Sequence, residues 1–158
     1  MSLDFFKIES PVFKNESTIP EEYTGHGRDI SPPMYWSGVP DEARELVLIC
    51  EDPDASGVDP FTHWVVYNID PSRGKLPAGV PAEKSNGVEY LQGENSYHEI
   101  GYKGPNPPPG KTHHYHFKLY ALDMKLGLPA GLSKEEVLAA MQGHIIAEAE
   151  YVGLHHFH

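Results

Sequence analysis

Cysteine, positive charge and long apolar runs are what this chain has least of. A single cysteine, Cys50, among 158 residues excludes an intrachain disulfide. A chain without disulfides suits a reducing compartment, so a cytoplasmic address is expected. Lys and Arg number 12 against 23 Asp and Glu, a formal net charge of −11 with histidines neutral. That field repels polyphosphate at long range, which argues against nucleic acid and against a purely electrostatic hold on anionic membranes. Any anionic ligand must therefore be held by local donors. No apolar run approaches the roughly 18 residues that a membrane span needs, and Met1–Lys7 lacks the basic region and apolar core of an export leader. Membrane insertion and export are not expected.

What is present is turn chemistry and aromatic surface: 15 Gly, 15 Pro, 11% aromatic residues and 10 His. Those proportions describe many turns between short strands. A chain of this length typically buries about 68–70% of its unfolded surface, enough for one core, and no linker, repeat or charge block divides it, so one domain over residues 1–158 is expected.

Three strands stand out. Glu45–Glu51 is a continuous branched apolar run between Val39-Pro40-Asp41 and Asp52-Pro53-Asp54, the pattern of a buried strand. His63–Ile69 follows and stops at Asp70-Pro71. His113–Leu122 alternates, placing His113, Tyr115, Phe117 and Leu119 on one face, expected to look inward, and His114, His116, Lys118 and Tyr120 on the other. Between Asp70 and Pro109 lies a Gly/Pro/Asn/Ser stretch far longer than the usual connection of about 4–6 residues, so it is either functional or wrongly read as a loop. Ser133 with Glu136 forms a capping box before Val137, Leu138 and Met141 at helical spacing, and Gly143 ends that helix. Ile145–Val152 alternates as a closing strand, although its Ala and Glu also allow a helix.

Chemistry can sit at three places, each at a strand end, where sites collect. These are the Asp52-Pro53-Asp54 turn, His63, and the loop Gly101–Gly110 running into His113 and Tyr115. Asp and Pro are common turn formers, so the first is equally read as a turn, and the dense proline of the third as a rigid spacer. Histidines beside carboxylates also admit a zinc or iron site, but there is no HExxH or CxxC spacing. A Ser-His-Asp hydrolase lacks its GxSxG elbow. His114 and His116, with the terminal His155, His156 and His158, read as solvated histidines.

Taken together, Asp52-Pro53-Asp54-Ala55-Ser56, His63-Trp64-Val65-Val66-Tyr67-Asn68, and Gly104-Pro105-Asn106-Pro107-Pro108-Pro109-Gly110 leading to His113-His114-Tyr115-His116-Phe117-Lys118-Leu119-Tyr120-Ala121-Leu122-Asp123 form an ordered set. The set resembles the phosphatidylethanolamine-binding protein family, known also through Raf kinase inhibitor and plant flowering-regulator members, in its bacterial and archaeal branch. The family pattern is a DPDAP turn, a histidine opening the next strand, and GPxPPxGxxHRYxFxLYALD. The segment Gly143-His144-Ile145-Ile146-Ala147-Glu148-Ala149-Glu150 also looks like that branch's C-terminal part. Two positions depart from the pattern: Ser56 replaces the second proline of the turn, and His114 replaces the usual arginine and its planar five-donor fork.

The resemblance implies a mainly β fold, a large antiparallel sheet packed on a smaller one with short peripheral helices, and an anion pocket at one edge. Carried over by position, that pocket comprises Asp52, His63, Gly104, Pro107, His113 and Tyr115, with Asp54 close behind and Gly101 and Tyr102 on the rim. The expected function is non-catalytic binding of a small anionic ligand, phosphate or a headgroup such as phosphoethanolamine, with no metal and no cofactor. A metal-assisted or histidine-based hydrolase using the same pocket, and a kinase-inhibitor-like interaction module, are the alternatives. A homodimer is allowed, since the bacterial branch often forms one. Expected donors are the imidazolium groups of His63 and His113, the Tyr115 hydroxyl and loop amides. Asp52 would either support a histidine or receive a ligand ammonium.

Overall fold

The computed structural model describes residues 6–55, 57, 59–85 and 89–156. Ser56 and His158 lie outside the described residues. Among the described residues, nine strands and one α-helix follow in chain order, with a single 3-10 turn at Glu21–Tyr23: β1 Lys7–Glu9, β2 Ser17–Thr18, β3 Met34–Ser37, β4 Glu45–Asp52, β5 Phe61–Ile69, β6 Lys75–Leu76, β7 Leu91–Gln92, β8 Thr112–Leu122, α1 Lys134–Met141 and β9 Ile145–His156. They form a three-stranded sheet in the order β1-β3-β6 and a six-stranded sheet in the order β2-β9-β8-β4-β5-β7. The expected mainly β, two-sheet architecture is thus observed, with one finer difference: short β2 runs parallel to β9 through Ser17 and Thr18, so the large sheet is not wholly antiparallel.

Strand β4 reads as an unbroken apolar run because both of its faces are covered. Leu46, Leu48 and Cys50 point into the main core, with Trp64, Val66, Phe117 and Leu119 from the large sheet and Ile8, Met34, Trp36 and Leu76 from the small one. Val47 and Ile49 point the other way, joining Val65, Tyr67, Leu122, Val137 and Met141 beneath α1. Burying each such side chain contributes about 1.5–3 kcal/mol, so this double-faced strand anchors the fold. Cys50 is buried, and desolvation raises its thiol pKa well above the ordinary value, so it behaves as a small hydrophobe.

Helix α1 starts as its capping box dictates: Ser133 Oγ accepts from the Glu136 N–H, and the Glu136 carboxylate accepts from the Ser133 N–H. Gly143, with φ 81°, takes the left-handed conformation just beyond the end. The segment 145–156 is strand throughout, paired with β8 from Leu122↔Ile145 to Thr112↔His156, which settles the helix alternative. The long stretch after Asp70 contains β6 and β7. It is fastened from inside by Gln92, whose amide accepts from Trp64 Nε1 at 2.7 Å and donates to the Pro81 and Glu83 carbonyls at 2.7 and 2.8 Å. Burying this amide is cheap because its oxygen and its nitrogen are both paired.

Candidate functional site

The end of β4 and the beginnings of β5 and β8 meet at one end of the large sheet, because β4 runs antiparallel to both. Alternation along β8 is as expected: His113, Tyr115, Phe117 and Leu119 are buried, and His114, His116, Lys118 and Tyr120 only partly. Alternation along β5 would place His63 with Val65 and Tyr67, away from the site. The register instead steps from Cys50↔Trp64 to Glu51↔Thr62 and leaves His63 unopposed. This is a β-bulge, which re-aims a side chain. It turns the His63 ring against Tyr115, with ring centroids 5.2 Å apart.

The resulting cavity, about 130 Å³, is lined by Asp52, Ala55, Phe61, His63, Tyr97, Asn106, Pro107, Pro108, His113 and Tyr115. A liquid water occupies about 30 Å³, so a group the size of phosphate fits and a whole lipid does not. A wider depression of about 390 Å³ continues past the shared His113, Ala55 and Pro108 to Asp54, Gly57, Pro109 and Lys111.

Hydrogen bonds fix both imidazoles. Asp52 is 2% exposed; its Oδ2 lies 2.6 Å from His113 Nδ1 and its Oδ1 accepts the Asp54 N–H at 2.8 Å. Asp52 therefore supports a histidine. His63 Nδ1 lies 2.6 Å from the Lys103 carbonyl, which can only accept, so this nitrogen carries the proton. In each ring Nε2 is left for a ligand. Burial pushes the His63 pKa below its ordinary value, against the opposing pull of the Lys103 carbonyl and the Asp52 charge. The expectation of a His63 imidazolium at neutral pH is thereby corrected: the ring is neutral and presents a lone pair. The Tyr115 phenol is driven far up by burial and then by the Asp52 charge, so it remains an O–H donor.

Four expected residues do not line the cavity. Tyr102 is buried rather than on a rim, and its hydroxyl donates to the Tyr23 carbonyl at 2.6 Å. Gly101, at φ 100°, packs on Ala82 beneath Gln92. The Gly104 N–H donates to Asp29 Oδ1 at 2.6 Å, and a Cβ there would strike the Tyr23 carbonyl. The expected amide donors are thus largely committed, since the Gly101 and Lys103 N–H groups also bond carbonyls, of Gly93 and His63. Asp54 turns to His114, accepting from its backbone N–H at 2.7 Å and facing its Nδ1 at 2.8 Å. These four residues hold the loop, and Asp54 also lines the wider depression. Ala55, Phe61, Tyr97, Asn106 and Pro108 were missed; the length of the 70–109 stretch hinted at Tyr97, Asn106 and Pro108 lie in the loop already singled out, and nothing in the sequence marked Phe61.

Of the histidines read as solvated, His155 and His116 are held by partners. His116 Nδ1 faces Glu150 at 2.6 Å, and His155 is buried, stacked on His26 at 5.2 Å. Among the described residues no three His, Cys, Asp or Glu side chains are arranged to hold a metal ion.

A two-sheet β protein with a histidine–carboxylate cavity at its strand ends defines a class of binding domain. The chain belongs to the phosphatidylethanolamine-binding protein family, whose model matches residues 9–156. It is 46% identical over 148 residues to the UPF0098 protein of Methanothermobacter thermautotrophicus, covering 94% of this chain and 97% of that one. Among solved structures, a phosphatidylethanolamine-binding protein homologue from Chlamydia trachomatis matches with TM-score 0.87 and 40% identity, over 98% of this chain and 99% of the other. YbcL of E. coli, described as a member of the mammalian family, matches with TM-score 0.89 and 28% identity over 97% and 99%. Membership supports a ligand-binding or regulatory role in general terms. No helix among the described residues is long and apolar enough to cross a membrane.

Proposed function

We propose that the cavity binds a small anionic ligand, a phosphate or a headgroup such as phosphoethanolamine, without catalysis. The observation that carries this reading is the convergence of His63, His113 and the Tyr115 hydroxyl on a cavity of about 130 Å³, with Asp52 held behind His113. Asp52 fixes the His113 tautomer so that Nε2 faces the ligand. Tyr115 donates its O–H, and the exposed Asn106 amide can add a further donor at the mouth. The wider depression with Lys111 leaves room for the substituent on the phosphate. Titration calorimetry with O-phosphoethanolamine near pH 6 tests this: the wild type binds, and His113→Ala loses binding.

The hydrolase reading draws on the same pair. An imidazole oriented by a buried carboxylate, with Nε2 open to a cavity, is the geometry of a general base acting on water. Release of product from phosphate or carboxylate esters, abolished in His113→Ala, would favour it over simple binding.

A further inference from the structure

Resting on the phosphate reading, we propose that the cavity takes up one proton with its ligand, and by that requirement selects phosphomonoesters over sulfate and over phosphodiesters. Among the described lining residues there is no Lys or Arg. Two lysines of the surrounding loops are engaged elsewhere: Lys103 Nζ lies 3.6 Å from Asp29 and 3.8 Å from Glu99, and Lys111 sits in the outer depression, 3.4 Å from the Asp54 carbonyl. The fixed charge at the cavity is the carboxylate of Asp52, which has the same sign as the ligand.

The hydrogen-bond inventory sharpens the conflict. Both Nδ1 atoms are spent on Lys103 and Asp52, so each ring meets the ligand through Nε2, and the neutral His63 ring offers only a lone pair there. The groups facing His63 are Asp52 from β4, His113 and Tyr115 from β8, Phe61 from its own strand, and Asp29 and Lys103 from the loops. His113 faces Asp52, Tyr115 and, across β9, His155. Tyr115 is the standing donor of the inner wall. A dianion set against the His63 lone pair and the Asp52 carboxylate is repelled at contact distance, where screening by salt is weakest.

One proton removes the conflict. Placed between a phosphate oxygen and an imidazole Nε2, it makes a hydrogen bond whichever atom holds it, as O–H···N or as O⁻···H–N⁺. The balance is a dianionic monoester, the unliganded site and one solvent proton giving one complex, with no covalent bond broken. A phosphomonoester brings a second ionisation near pH 6, so it supplies that proton at modest cost around neutrality. Sulfate and phosphodiesters have no proton to share there. They must charge a buried ring beforehand and lack the P–OH donor.

The test is calorimetry of the wild type at about pH 8 in two buffers of different ionisation enthalpy, with O-phosphoethanolamine, glycerophosphoethanolamine and sulfate as probes. The expected result is uptake approaching one proton per O-phosphoethanolamine and an affinity falling about tenfold from about pH 7.5 to 8.5, the slope of a one-proton linkage. Sulfate and the diester should bind at least about tenfold more weakly. Binding of O-phosphoethanolamine with a buffer-independent enthalpy, or equal binding of sulfate or the diester, overturns the proton linkage and leaves the phosphate reading standing. Absence of binding by every probe between about pH 6 and 8 overturns both.

Discussion

His113 Nδ1 lies 2.6 Å from Asp52 Oδ2, across a pair in which the residues are 5% and 2% exposed. A carboxylate this buried is tolerated because each oxygen has a donor: the imidazole N–H on one side and the Asp54 amide on the other. Replacing Asp52 by Ala strands both donors, and a lost hydrogen bond to a charged group costs about 1.5–3 kcal/mol. Asp52→Asn keeps one carbonyl acceptor and should lose less. Urea unfolding of both variants measures the difference, and nitrogen NMR of His113 should show the Nδ1–H tautomer losing its dominance in Asp52→Ala. Equal stability of Asp52→Ala and the wild type would show that the pair does not hold the site.

Acid should loosen the fold through histidines before carboxylates matter. Burial lowers the pKa of His63 and of His155; the latter faces His26, His156, His113 and Glu21. Because the native rings resist the proton, the unfolded chain binds more protons as pH falls below its own histidine value of about 6.5. The neutral-ring contribution is therefore complete above that value and is lost as pH drops through the region below it. His155 Nε2 is also buried without a hydrogen-bond partner among the described residues. His155→Phe preserves an aromatic ring against His26 and removes the proton site. Its stability relative to wild type should improve steadily between about pH 7.5 and 5, as read by thermal melts; a pH-independent difference would refute the assignment.

How much of this was legible beforehand depends on whether local pattern or pairing decides. The strands around Val47, Val66 and Phe117, the capped helix at Ser133, and the inward set His113, Tyr115, Phe117 and Leu119 follow from periodicity, since burial enforces it. Asp52, His63, His113 and Tyr115 are all marked as candidates by their places at strand ends, His113 and Tyr115 by alternation as well, and the resemblance groups them into one pocket. Alternation alone cannot show that His63 turns to the cavity, because it does so through a bulge, and a skipped register is a property of two strands rather than of one. Tyr102, Gly101 and Gly104 were assigned to the ligand although their partners are Tyr23, Ala82 and Asp29, far apart in sequence from all three. His155 looked like a solvated tail histidine because nothing local marks that β9 runs to His156 beside His26.

Helix α1 is tied to the large sheet by charge as well as by Val137 and Met141. Glu51 accepts from Lys118 and Lys134, each at 3.0 Å, and the Lys134 side chain is 8% exposed. Burial alone would raise the Glu51 pKa; the two lysine hydrogen bonds outweigh it and hold the carboxyl below its ordinary value. A depressed acid stabilises the fold above its unfolded value of about 4.3, and that stabilisation is lost as pH falls through the native value. Glu51→Gln leaves Lys134 without a counter-charge and should cost about 1.5–3 kcal/mol at neutral pH, an effect that shrinks toward about pH 3. Denaturation at both pH values checks it, and a cost unchanged at low pH would contradict the charge-based account.

The Tyr115 hydroxyl separates ligand binding from stability more cleanly than any histidine. Its ring is 1% exposed, packed edge-on against His63 and stacked near His113, yet no hydrogen bond joins its hydroxyl to another described residue. The ring belongs to the core and the oxygen to the cavity. Tyr115→Phe keeps the packing and should change unfolding stability by no more than about 0.5 kcal/mol. If the hydroxyl donates to a bound phosphate, the same change removes one hydrogen bond worth about 0.5–1.5 kcal/mol, a loss of about two- to tenfold in affinity. Since the phenol stays protonated across the accessible pH range, that loss should be the same at about pH 6 and 8, unlike the histidine-linked part. Calorimetry of Tyr115→Phe with O-phosphoethanolamine at both pH values decides it: wild-type affinity at both would place the ligand away from the inner wall.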